Sequence, residues 1–159
     1  MSGPLTIVEL PEPFLARYTG LDHEPADTQA QRSGRCYELA CHAHLTWAAL
    51  GWETTLVHGT IHNPELTGGT PPNPHGWVEF RAGGRAFAWE PISDTVVPVT
   101  EFQRSWGSRR WATYRPGQAR RLVLEHRHYG VWGRAHNARY EQATAAMEAH
   151  FRARRETAA

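Results

Sequence analysis

Cysteine is scarce: the 159 residues include only two, Cys36 and Cys41, too few for a disulfide framework. No covalent staple is therefore expected, and a chain of this length buries a core without one in a single domain, residues 1–159. Charge of one sign is also lacking. The net charge is +1 with histidine neutral, whereas nucleic-acid binders usually carry a clear basic excess. The local arginine groups, such as Arg109-Arg110 and Arg120-Arg121, read as solvated surface, and no nucleic acid is expected as a partner. No apolar run approaches membrane-spanning length. The stretch Met1 to Leu10 has no basic start and no small-residue cleavage site, so neither a membrane partner nor a signal peptide is expected. A cytoplasmic protein, whose thiols stay free, is the expectation. Repeats, low-complexity tracts and phosphate-binding glycine loops are missing too, and no cofactor is expected.

What is present is an ordinary globular composition, 40% apolar and 21% charged, with seven tryptophans to fill a core. Residues 1–33 read as an irregular segment punctuated by Pro11 and Pro13, with a short helix from Pro13 to Tyr18 and a polar loop from Asp22 to Ser33. Cys36 to Leu50 is rich in Ala and Leu and free of Gly and Pro, with apolar residues three and four apart. It reads as a helix with Ser33 as its N-cap and Gly51 as its stop. Thr54 to Ile61 reads as a strand, and Asn63 to Pro74 as a Pro/Gly-rich loop. A hairpin follows, His75 to Arg81 returning as Arg85 to Glu90. Beyond it the expected elements are a strand at Thr95–Val99, edge-placed because of Pro98, and a helical turn at Glu101–Trp106. Strands at Trp111–Tyr114 and Arg121–Glu125 come next, and His126-Arg-His128, directly after the second, reads as alternating on a strand. Tyr140, Ala143, Met147 and Phe151 mark one face of a C-terminal helix over 134–155. A helix, then an antiparallel sheet, then a helix gives an α+β fold.

The chemistry centres on Cys36. Gly34-Arg35-Cys36 lies where a polar loop meets the apolar helix. The positive end of a helix favours a thiolate, and its free N–H groups can hold an oxyanion. Cys41, inside the same helix, lacks that advantage and reads as core packing.

A cysteine nucleophile needs a base, and the base needs an orienting group. His75 opens one hairpin strand and Glu90 closes the other. With Ala82-Gly83 as a two-residue loop the two lie directly opposite. With Gly83-Gly84 the register moves by two and the pair is diagonal. Either even-length loop keeps both side chains on one face, and a three-residue loop separates them. Glu79, on the same strand face as His75, is the alternative carboxylate.

Gly34-Arg-Cys36-Tyr-Glu-Leu-Ala, Val57-His-Gly59, His75-Gly-Trp77-Val-Glu79 and Trp89-Glu90-Pro91 together resemble the transglutaminase-like superfamily in its small bacterial or phage form. The likeness spans about Gly34 to Pro91. It implies a papain-like layout, with the nucleophile helix packed on an antiparallel sheet, and acyl chemistry through a thioester. It implies Cys36 as nucleophile, His75 as base and Glu90 as orienting acid, acting on a peptide, amide or thioester. This chain departs from the family in carrying Glu90 where Asp is usual and Gly76 where Ala is usual. Papain-like enzymes carry a Gln before the nucleophile as an oxyanion donor. Gln31 and Gln29 stand near that place without matching the interval, and Gln31 is the candidate.

Ten histidines also invite a metal reading. His42 and His44 beside the cysteines form no coherent zinc set, and His58 and His62 have the four-residue offset but read as lying on a strand that would hold them about 13 Å apart, so no metal is expected. His58 and Trp77 are candidates for the cleft wall. The expectation is a cysteine-dependent hydrolase or acyltransferase. The alternatives are a non-catalytic binding module on the same fold and a metal-dependent hydrolase built on histidines.

Overall fold

The computed structural model describes residues 26, 28–62 and 70–158. The helix expected at Pro13–Tyr18 and the first part of the expected Asn63–Pro74 loop lie outside the described residues. The described elements are α1 (Gln29–Arg32), α2 (Cys36–Ala49), β1 (Thr54–Ile61), β2 (Asn73–Ala82), β3 (Arg85–Glu90) and β4 (Thr95–Pro98). They continue as α3 (Val99–Ser105), β5 (Arg109–Tyr114), α4 (Pro116–His126) and α5 (Arg134–Ala158). The fold is α+β. Its five strands form one antiparallel sheet in the order β4-β3-β2-β1-β5. Among the described residues no helix is long and apolar enough to cross a membrane.

The sheet divides the core. One layer joins Leu39, Ala43 and Trp47 of α2 to Leu56, Val78, Phe80 and Trp89 of the sheet, with Val123 of α4 closing it. The other joins Val57, Trp77 and Ala88 to Phe102 of α3 and Trp106 after it. Strand alternation produces this split, since neighbours such as Val57 and Leu56 point to opposite faces. Helix α2 has buried residues on nearly its whole circumference, the mark of a central helix.

Several expected elements are corrected. The polar stretch before Cys36 is not all loop: Thr28 accepts from the Gln31 N–H and Gln31 reaches back to the Thr28 N–H, a capping box that starts the one-turn helix α1. Ser33 closes α1 instead of capping α2, whose N-cap is Arg35 with no side-chain cap bond. The loop expected to end at Pro74 gives way at Asn73, where β2 begins and pairs with Ile61 of β1. Val99 opens α3 instead of ending a strand, because Pro98 stands at the helix N-cap.

The largest correction is at Arg121–Glu125, which is helix, within α4. Its three consecutive apolar residues are too short a run to fix a period. Pro116 in the first turn and the buried pair Ala119 and Val123, four apart, decide for a helix. His126 therefore ends a helix instead of alternating with His128 on a strand, and Arg127 follows it in the left-handed region, φ 60°. The C-terminal helix runs to Ala158, three residues beyond the expected 155.

Candidate active site

Two glycines set the geometry. Gly83 and Gly84, at φ 58° and 76°, take both loop positions of the hairpin, and Ala82 pairs with Arg85. A two-residue loop with both φ positive matches the twist of antiparallel strands. The diagonal register results, and His75 and Glu90 share a face. The bond forms across the diagonal: His75 Nε2–H donates to Glu90 Oε1 at 2.5 Å. Glu is long enough to span that offset.

Gly76 brings Cys36 to this pair. A Cβ on Gly76 would lie 3.1 Å from Tyr37 Cδ1, 3.3 Å from Tyr37 Cα and 3.5 Å from the Cys36 carbonyl oxygen. The bare Cα thus lets the start of α2 press against β2. Cys36 then stands within hydrogen-bonding reach of the His75 ring. Since Nε2 is held by Glu90, Nδ1 is the nitrogen left to face the sulfur. Gly76→Ala is expected to push Tyr37 aside and cost about 1 kcal/mol or more. It should also slow alkylation of Cys36, as read by denaturant unfolding and by mass spectrometry. Unchanged values in both would remove the steric role of Gly76.

His75 is 3% exposed and Glu90 is 1% exposed. Burial works against the charged imidazole. The neighbouring Cys36 side chain and the Glu90 carboxylate outweigh burial, and the His75 pKa rises to about 10. Burial also pushes the Glu90 carboxyl up, and its hydrogen bonds from His75 and Ser93 more than reverse this, to about 2. Four donors converge on that carboxylate. Oε1 accepts from His75 Nε2 and from the Ile92 N–H at 2.9 Å. Oε2 accepts from the Ser93 N–H at 2.7 Å and Ser93 Oγ at 2.6 Å. The turn after β3 supplies three of these donors. An anion held this way stays ionised and keeps the ring charged.

Cys36, His75 and Glu90 line a cleft of about 610 Å³. Its far wall is one face of α5, carrying Tyr140, Met147 and Phe151. Tyr37 of α2 meets Tyr140 edge-on, ring centroids 6.1 Å apart.

The remaining candidates fall elsewhere. Glu79 pairs with Arg110 of β5 and accepts from Trp77 Nε1, so its carboxylate is engaged away from His75. Gln31 uses its side-chain oxygen in the α1 capping box and is not part of the cleft lining, whereas Gln29 is. Trp77 is fully buried against Phe102, a core residue behind His75. His58 projects to the opposite sheet face, fully buried between Tyr37, Tyr114 and Trp132. Burial lowers its pKa to about 3, so it stays neutral. Cys41 is fully buried, and burial pushes its thiol up. Among the described residues no three His, Cys, Asp or Glu side chains are grouped to hold a metal. His44 contacts Thr54 Oγ1 through Nδ1 at 2.9 Å.

Ser93 and the α5 wall are the site components that reasoning from sequence missed. The signal for Ser93 was the turn after Glu90-Pro91, where successive N–H groups and a hydroxyl fold back on the acid. Comparison with family models, curated proteins and solved structures finds no match for this chain.

Proposed function

We propose that this chain is a cysteine-dependent acyl-transfer enzyme of transglutaminase-like type, an amidase, peptidase or transglutaminase in its chemistry. The observation that carries the reading is the buried His75, held between Glu90 and the cleft-lining Cys36. The order Cys, His, acid along α2, β2 and β3 agrees with the family resemblance.

The chemistry runs in two halves. The Cys36 thiolate attacks a carbonyl carbon of an amide or thioester, and the carbonyl π pair moves to oxygen. The α2 N-terminus has no side-chain cap, so N–H groups of its first turn are available to the oxyanion. Gln29, in the cleft lining, is the side-chain amide suited to add a second donor. Collapse expels the leaving group, which takes the Nδ1 proton of His75, and a thioester remains on Cys36. Water or an amine then attacks the thioester, gives its proton to His75, and releases the acyl product with the thiolate restored. Glu90 holds the ring in place and stabilises its charged form.

The test is competitive labelling. The chain contains no lysine, so iodoacetamide meets no ε-amine. At pH 7 Cys36 is expected to alkylate at least about tenfold faster than Cys41, whose burial both shields it and holds it as the thiol. Peptide mapping by mass spectrometry reads the two rates. Equal rates would defeat the nucleophile assignment.

A further inference from the structure

We propose that the cleft-facing side of α5 is the acyl-binding wall of this site, and that the acyl groups it takes are bulky, apolar and uncharged. The proposal rests on Cys36 being the nucleophile.

Tyr140, Thr144, Met147 and Phe151 line the cleft at spacings of four, three and four, which places them on one helix face. None of them serves a core: α5 has 25 residues and no buried one. Tyr140 and Phe151 remain 38% and 40% exposed. Large apolar side chains left open to water gain by covering. Here they stand across the cleft from the sulfur, with Ile61 and Ile92 on the lining as well. The volume, about 610 Å³, lies in the range that encloses a whole small ligand, well beyond an acetyl group. Glu148 lines the same cleft and is exposed. Its carboxylate repels an acyl group that carries its own negative charge. A substrate covering this wall would place its carbonyl carbon at Cys36 and its side chain on α5.

Alkylation of Cys36 in the full chain separates acyl preference from turnover. The reagents are iodoacetamide, N-benzyl iodoacetamide, N-hexyl iodoacetamide and iodoacetate. In each case an S–C bond forms and iodide leaves. Rates are divided by those for glutathione with the same reagent. The benzyl and hexyl reagents are expected to exceed iodoacetamide by about tenfold, from burial of several methylene equivalents. Iodoacetate is expected to lag behind iodoacetamide, and Glu148→Gln to narrow that lag. Phe151→Ala and Met147→Ala should each lower the benzyl preference severalfold, with Phe151→Leu restoring most of it. These positions are on an exposed helix, so circular dichroism should show the fold retained. Modification of Cys36 at equal normalised rates by all four reagents overturns the acyl wall and leaves the nucleophile standing. Failure of every reagent at Cys36 overturns both. A dimer that Phe151→Ala dissociates, with alkylation preferences unaltered, assigns the face to a second copy of the chain and overturns the proposal.

Discussion

Cys36→Ala is expected to lower turnover of an activated ester or thioester by about a thousandfold or more, with the circular dichroism spectrum unchanged. The sulfur is the cleft group paired with the buried His75, so its removal takes away the proposed nucleophile and leaves binding and the donors at the helix start. Cys41→Ala is the internal control. Cys41 is fully buried in α2, and its loss touches packing while turnover stays near wild type. A second readout comes from the histidine. Cys36 is foremost among the groups that raise His75 to about 10. In Cys36→Ala the His75 pKa should therefore fall, which NMR titration of the imidazole carbons would show. Retained turnover in Cys36→Ala, with the fold intact, would end the thioester mechanism.

The parts of this site that were legible in the sequence depend on local rules. Cys36 to Ala49 has helix-forming composition, and Gly34 breaks the chain just before it, so the place of Cys36 at a helix start follows from neighbours alone. The hairpin was legible for a subtler reason. Either two-residue loop keeps His75 and Glu90 on one face, because side chains alternate with period two. The choice between direct and diagonal registers needed the backbone, which puts Gly83 and Gly84 together at positive φ. Arg121 to Glu125 was misread because three apolar residues satisfy both periods, and the burial of Ala119 and Val123 that decides the matter is tertiary. Gln31 was attractive by proximity to Cys36, but its side chain completes a capping box. The face of α5 was visible in Tyr140, Met147 and Phe151. Periodicity identifies a face without identifying what it faces, so its position across from Cys36 emerged only from the fold. Gly76, a mild change when compared with Ala by residue type, gains its meaning from the Tyr37 atoms against it.

Glu90→Gln is expected to damage stability and turnover together. All four contacts to the carboxylate come from donors: His75 Nε2, the Ile92 N–H, and the N–H and hydroxyl of Ser93. An amide keeps one acceptor and turns the other position into a donor. If its nitrogen faces Ser93, the Ser93 N–H meets a donor, while the hydroxyl can turn to accept and donate to Thr95 Oγ1 instead; if it faces His75 and Ile92, the charged imidazole and the Ile92 N–H meet a donor. The negative charge that favours the imidazolium is lost as well. Breaking a buried charged pair from one side costs about 3–5 kcal/mol, and a misoriented general base lowers turnover by about 10²- to 10⁴-fold. The pH dependence of the difference identifies its source. Glu90 is lowered from 4.5 to about 2 on folding, so its contribution is present above 4.5 and fades as pH falls toward 2. His75 is raised from 6.5 to about 10, so its contribution is full below 6.5 and fades as pH rises through 10. The stability gap between wild type and Glu90→Gln should therefore be widest between about pH 4.5 and 6.5. Urea unfolding across pH 2 to 10 measures it. A gap that stays constant over that range would mean that Glu90 contributes through packing alone, and the charged His75–Glu90 pair would have to be abandoned as the element that poises the site.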